Sequence, residues 1–337
     1  MVPWPHPGWR PPTGCGSERS ARQWATVSPS SRSTGHPLSR AVLAAGALAL
    51  LAVPAVFAQG TRAPLRLGVI AEERNEPDRM LKVFGEMLAR LRERLAPSGV
   101  DVGELVIARD LDDLSQRLAR AEVELVIETV FPTLVLQERS RRLDPALVVV
   151  RRGQREYRSV FFTKKDAPIR DLADLRGRTL VLQVLRSTSA FALPKAALER
   201  AGLAVVPADD PRADQAHVRY VLALAEINQA IWVLHGKGDA GAFNDGDWAA
   251  LPEKVRSQLR VFHETRPIVR GLLSFRAGLD PGVRRLAEEA LMSLDDDEPG
   301  RATLALASGI TRFEPLTATD RRGLRDWAAA LRPRAPR

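Results

Sequence analysis

Residues 179–202 read Thr-Leu-Val-Leu-Gln-Val-Leu-Arg-Ser-Thr-Ser-Ala-Phe-Ala-Leu-Pro-Lys-Ala-Ala-Leu-Glu-Arg-Ala-Gly. The opening run, Thr179 to Val184, is apolar and β-branched and reads as a buried strand. Ala190 to Ala201 reads as a helix, and Gly202 supplies its stop. Between them stand Ser187, Thr188 and Ser189. Three small hydroxyls at a helix N-terminus put O–H donors beside unpaired backbone N–H groups. The helix dipole there also favours negative charge, which suits a phosphate, phosphonate, sulfonate or carboxylate. The same triplet also fits an ordinary N-cap, where Ser and Thr are preferred whatever the function. A strand that runs through a small-residue turn into a helix is the grammar of an α/β fold.

That grammar extends in both directions. Toward the N-terminus, strands are expected at Leu65–Ile70, Glu104–Ala108, Val123–Ile127 and Ala146–Val150, with helices at 78–95, 111–121 and 132–139 between them. Met80, Leu81, Phe84, Leu88 and Leu91 form the apolar face of the first helix. The alternation argues for a largely parallel sheet. A second series starts at Tyr157-Arg-Ser-Val-Phe-Phe-Thr. It continues through 180–184, 203–206, a helix at 224–234, and strands at 239–243, 260–263 and 271–275. Helices at 283–294, 300–308 and 318–331 close the chain. Two such series suggest two lobes, with a ligand in the crevice beyond the strand C-termini.

The N-terminus reads as an export address. Residues 41–58 are uncharged and apolar, follow Arg32 and Arg40, contain Pro54 and end Val56-Phe57-Ala58. This is the layout of a secretory signal peptide cleaved after Ala58; an uncleaved membrane anchor is the competing reading. Residues 1–40 are rich in Pro, Ser and Arg without periodicity and are expected to be disordered. The leader carries five arginines and one glutamate, so its removal takes the formal charge from +9 to +5. That balance suits an anionic ligand or a membrane surface.

Several chemistries are excluded or disfavoured. The single cysteine, Cys15, lies in the leader, which removes disulfides, thiol nucleophiles and cysteine metal ligands from the mature chain. His217, His235 and His263 are not spaced as metal ligands, so no metal or cofactor is expected. No Gly-x-Ser-x-Gly elbow, phosphate-binding Gly-x-x-x-x-Gly-Lys loop or Gly-x-Gly-x-x-Gly fingerprint is present, which argues against an enzyme. No basic run interleaved with aromatics points to nucleic acid.

The ordered pieces together resemble a known family, the periplasmic solute-binding proteins of phosphonate, phosphate and phosphite ABC importers. Leu67-Gly68-Val69 is similar to the family's first strand. Tyr157–Asp166 followed by Ile169-Arg-Asp-Leu-Ala-Asp-Leu-Arg-Gly resembles its strand crossing into the second lobe and the turn after it. Ser187-Thr188-Ser189, with Pro194 beyond, resembles its hydroxyl motif, and His235-Gly-Lys-Gly-Asp-Ala-Gly-Ala resembles a further conserved-looking segment of the family. The resemblance implies the two-lobe class II periplasmic binding protein fold. Lobe 1 would comprise residues 63–156 and 265–337, lobe 2 residues 157–264, with hinges near Glu156–Ser159 and Thr265–Val269 and a ligand cleft between the lobes.

It further implies that Ser187, Thr188 and Ser189 donate hydrogen bonds to an oxyanion. Thr129 and Asn244 are expected as neutral donors, and Glu128, Glu226 and Asp245 as pocket carboxylates. Where the family carries an aromatic before its second helix this chain has Leu111, and where it often carries a histidine Glu226 falls closest. Arg186, Trp232 and Phe243 are further candidates for the cleft, each with an ordinary surface or core role as alternative. Expected partners are a small anionic ligand and an importer permease, with the chain itself a monomer in the periplasm. The alternative is a sensing protein of the same fold that partners a signalling receptor; with no second apolar run before Arg337, a free binding protein is favoured.

Overall fold

The structure, a computed structural model, describes residues 64–71 and 76–331. The expected leader, signal peptide and Cys15 lie outside the described residues. No helix among the described residues is long and apolar enough to cross a membrane.

Fourteen strands are found among the described residues. In chain order β1 is Leu67–Ile70, β2 Val106–Ala108, β3 Leu125–Glu128, β4 Leu143–Arg151 and β5 Glu156–Tyr157. There follow β6 Ser159–Lys164, β7 Thr179–Leu182, β8 Val205–Pro207, β9 Val218–Leu222 and β10 Ala240–Asn244. The last four are β11 Leu259–Glu264, β12 Ile268–Val269, β13 Leu272–Arg276 and β14 Ile310–Pro315. They build two six-stranded mixed sheets, ordered β14-β4-β13-β3-β1-β2 and β11-β6-β10-β7-β9-β8. The core pairs are parallel, β1 with β2 and β3 in the first sheet, β7 with β9 and β10 in the second. The molecule is a two-lobe α/β protein.

The chain leaves the first sheet at β4 and reaches the second at β6, and it returns between β11 and β13. Both passages are short strands, and they pair with each other: Tyr157 of β5 lies opposite Ile268 of β12, and Glu156 opposite Val269. Each sheet is covered on both faces. In the first lobe helices Glu76–Leu95 and Pro281–Met292 bury Phe84, Leu91, Ala287 and Leu291 against one face. Helix Leu111–Ala119 buries Leu114 and Leu118 against the other. A third apolar cluster joins the lobes at the crossing. It gathers Val130, Tyr157, Leu193, Ile268 and Trp327, so the C-terminal helix Ala318–Leu331 packs onto the ribbon between the sheets.

The α/β alternation read from the sequence is present, with four additions. β9 is an interior strand of the second sheet, in a stretch that the sequence reading leaves unassigned. Val218-Arg-Tyr-Val-Leu breaks its apolar run with Arg219, whose guanidinium bonds the Gly177 carbonyl at 2.6 Å. β14 is an edge strand whose Thr311, Arg312 and Glu314 alternate with Ile310 and Phe313, a half-polar pattern that reads as loop between two helices. The short helices Asp245–Ala250 and Glu253–Arg256 are also absent from the sequence reading. The helix expected from Ala190 starts earlier, as one wide π turn over Thr188–Ala192 that leads into an α-helix at Leu193–Arg200.

Candidate functional site

A cleft of about 950 Å³ opens between the lobes. The C-terminal ends of β1, β3, β7 and β10 contribute Ile70, Glu128, Gln183 and Asn244 to its lining. This is where ligands gather in open α/β sheets. Beyond β7 the turn Val184–Ser187 carries the chain into the π turn, and all three hydroxyl residues line the cleft.

Their individual roles differ. Ser187 is the N-cap: its Oγ accepts the Ala190 N–H at 3.1 Å. Thr188 is buried at 1% exposure and reaches across to the other lobe. Its Oγ1 accepts the Phe131 backbone N–H at 2.9 Å and donates to Thr129 Oγ1, also at 2.9 Å. Ser189 uses its carbonyl to accept the Ser159 hydroxyl at 2.7 Å. Thr129 is the N-cap position of helix Val130–Ser140. The start of that helix and the start of the helix led by Thr188 therefore meet at one point, and both dipoles present their positive ends to the cleft.

Of the remaining sequence candidates, Glu128, Asn244 and Glu226 line the cleft and Asp245 does not. Glu128 accepts the Thr129 N–H at 3.2 Å and stands 3.9 Å from Arg186, itself a lining residue. Asn244 caps the helix after it, accepting the Asp247 N–H at 2.9 Å. Glu226 accepts Gln183 Nε2 at 2.7 Å, and desolvation pushes its carboxyl above the ordinary range, helped by the nearby charge of Asp247. Asp245 is turned to the crossing strand, where it accepts the Arg158 backbone N–H at 3.3 Å. Trp232 and Phe243 are not cleft residues: Phe243 is buried against Phe162 with ring centroids 4.5 Å apart, and Lys237 sits over the Trp232 ring.

Among the cleft residues that escape the sequence reading are Arg151, Tyr157 and Arg270. Arg151 ends β4, Tyr157 lies on β5, and Arg270 follows β12, so the end of β4 and the crossing ribbon bring them to the cleft floor. The Arg270 guanidinium lies 5.2 Å over the Tyr157 ring and donates to Gln154 Oε1. Burial pushes the Tyr157 hydroxyl up to about 12; Thr188 and Ser189 adjoin it and pull the other way. The early signal for two of them was position, since Tyr157 falls in the expected hinge Glu156–Ser159 and Arg270 directly follows the expected hinge Thr265–Val269. Among the described residues no cluster of His, Cys, Asp and Glu could hold a metal ion.

The model of one family, described as the periplasmic substrate-binding protein of a phosphonate ABC transporter, matches residues 69–320. The chain belongs to this family. Family members are periplasmic substrate-binding components of transporters. A structure of XAC2383 from Xanthomonas citri bound to ATP is 30% identical, with a TM-score of 0.73, and the match covers 80% of this chain and 97% of that one. A second structure of XAC2383, bound to chloride ion, is 31% identical with a TM-score of 0.72, over 79% of this chain and 96% of that one. The binding component of a phosphonate ABC transporter from Pseudomonas aeruginosa shares the fold at 18% identity and a TM-score of 0.56, over 79% of this chain and 87% of that one. No curated protein sequence matches the chain.

Proposed function

We propose that this phosphonate-binding family member captures a small phosphorus oxyanion between its lobes and delivers it to an ABC importer, without chemical conversion. The lobes comprise residues 63–156 with 265–337, and 157–264, and they close about the paired ribbon of β5 and β12. One observation carries the reading: two helix N-termini from opposite lobes converge on the cleft at Thr129, Phe131 and Thr188. An anion seated there is attracted by both dipoles and can take N–H and O–H donors from each lobe. Ser187, Ser189 and Thr129 are the oxyanion donors, Thr188 positions Thr129 through the hydroxyl hydrogen it donates to it, and Glu128, Glu226 and Asn244 shape the rest of the pocket. The family description and the ATP-bound relative both support a ligand with a phosphoryl or phosphonyl group. The protein works in the periplasm, exported by its N-terminal leader.

Titration calorimetry of the purified mature protein with phosphate, phosphite, methylphosphonate, 2-aminoethylphosphonate and ATP tests this. Binding of at least one of them is the expected result. Silence from all of them would overturn the capture reading.

A further inference from the structure

The cleft floor holds two cations, Arg270 buried and Arg151 half-buried, and neither makes an ion pair among the described residues. Among the described residues, the Arg151 guanidinium has no hydrogen-bond acceptor and no carboxylate within salt-bridge distance, and its Nε is shielded from solvent without a partner. Arg270 is 9% exposed, also with a buried, unpartnered Nε. Its acceptors are neutral: Gln154 Oε1 and, at 3.5 Å, Asn244 Oδ1. The hydroxyl of Tyr157, directly between this pair and the Ser187–Ser189 turn, is buried without a hydrogen bond of good geometry.

The other charges around the floor are committed elsewhere. Arg152 is 3.5 Å from Asp247, Arg186 is 3.9 Å from Glu128, and Glu226 is bonded to Gln183. Arg79 stands exposed at the rim. Desolvation already disfavours the charge on Arg151; Glu128 favours it, and Arg270 and Arg152 oppose it. Two like charges held out of water cost several kcal/mol each unless a counter-charge accompanies them. The missing partner is a ligand with two negative charges on one compact centre.

We infer that Arg151 and Arg270 select the doubly ionised form of a tetrahedral oxyanion, so that phosphonates, phosphate monoesters and phosphite bind and singly charged sulfonates and phosphodiesters do not. The inference rests on the capture reading above and sharpens it. Guanidinium groups suit the task because their charge does not titrate and their planar N–H groups bond two oxygens at once. The pH dependence then belongs to the ligand, whose second ionisation lies near neutrality, as a phosphoryl group's does at about 6.

Methylphosphonate and methanesulfonate, nearly isosteric and differing in charge, are the probes, titrated calorimetrically into the full mature chain. At about pH 8 methylphosphonate should bind at least about thirtyfold more tightly, and its affinity should fall about tenfold per pH unit below its second ionisation. Arg151→Gln should narrow that ratio at least about fivefold and flatten the pH profile. Should Arg151→Gln fail to fold by circular dichroism, the wild-type pH profile decides alone. Methanesulfonate binding as tightly as methylphosphonate, or a flat wild-type profile, would overturn the charge selection while leaving oxyanion capture standing. Failure of methylphosphonate, phosphate and phosphite alike to bind overturns the capture reading and the selection with it.

Discussion

The Thr188 hydroxyl, on the second lobe, accepts the backbone N–H of Phe131, on the first, at 2.9 Å. Helix N-terminal N–H groups have no partner within their own helix. A side chain from the opposite lobe here satisfies one of them, so the triplet that reads as a helix cap also ties the lobes together.

Thr188→Val keeps the side-chain volume and removes the hydroxyl. Phe131 N–H and Thr129 Oγ1 then lose a partner in a buried setting, at a cost of about 1–3 kcal/mol in unfolding free energy. Phosphonate affinity should also fall roughly tenfold, because the Thr129 hydroxyl that Thr188 holds in place is a donor to the anion, and a hydrogen bond to a charged group contributes about 1.5–3 kcal/mol. Urea denaturation and calorimetry read the two effects separately. Thr188→Ser should restore both; Thr188→Val with wild-type affinity would leave the triplet a structural cap.

Glu226 is expected to be destabilising at neutral pH. Desolvation raises its carboxyl above the ordinary value of 4.5, so the folded state binds the proton more tightly than the unfolded one. Stability contributed by this group is therefore lost as pH rises through its folded-state value. Glu226→Gln keeps an acceptor for Gln183 Nε2 and removes the charge. Its melting temperature should exceed wild type at about pH 8, and the advantage should vanish near pH 4. An equal difference at both pH values would contradict the assignment.

How much of this was legible beforehand follows from which forces act locally. The strand, turn and helix around Ser187–Ser189 could be read because apolar period and helix-end chemistry are local properties. Glu128 was visible as a carboxylate at a strand end, and the structure places it in the cleft. Arg151 and Arg270 were not legible, because arginine is this chain's general surface cation. Arg270 reaches the cleft through the pairing of β5 with β12, and Arg151 through the end of β4, where it pairs with Ile310 of β14. Asp245 was misleading for the opposite reason: its neighbour Asn244 lines the cleft, and the helix that starts there rotates Asp245 toward Arg158. β14 was missed because an edge strand needs only one apolar face.

Gly300 opens a sharper stability test away from the cleft. It lies in the first turn of helix Glu298–Leu306, where its N–H meets Asp297 Oδ1 at 2.7 Å. A Cβ on Gly300 would fall 1.7 Å from the Leu294 carbonyl oxygen, a backbone atom that no rotamer change can move. Gly300→Ala should destabilise the first lobe by about 3 kcal/mol, the upper range for forced overpacking. Chemical denaturation measures it, and a change near zero would mean that the helix start can shift at no cost.

Asp320 makes the acid limb of stability predictable. It lies at the start of the C-terminal helix, 9% exposed, and receives Arg155 at 2.9 and 2.7 Å through both carboxylate oxygens. Burial alone would raise its pKa, but the hydrogen bonds from Arg155 and Thr317 outweigh burial and hold the carboxyl at about 2. A depressed carboxyl contributes its full stability above the unfolded value of 3.8 and loses it as pH falls through about 2. The shift corresponds to roughly 2 kcal/mol at neutral pH. Asp320→Asn should therefore cost about that much at pH 7 and progressively less below pH 4, converging with wild type near pH 2. Arg155 keeps Glu314 at 2.7 Å in the variant, so its own charge stays paired and the carboxylate's contribution is isolated. Unfolding curves across this pH range that stay parallel would show that the pair contributes nothing through ionisation.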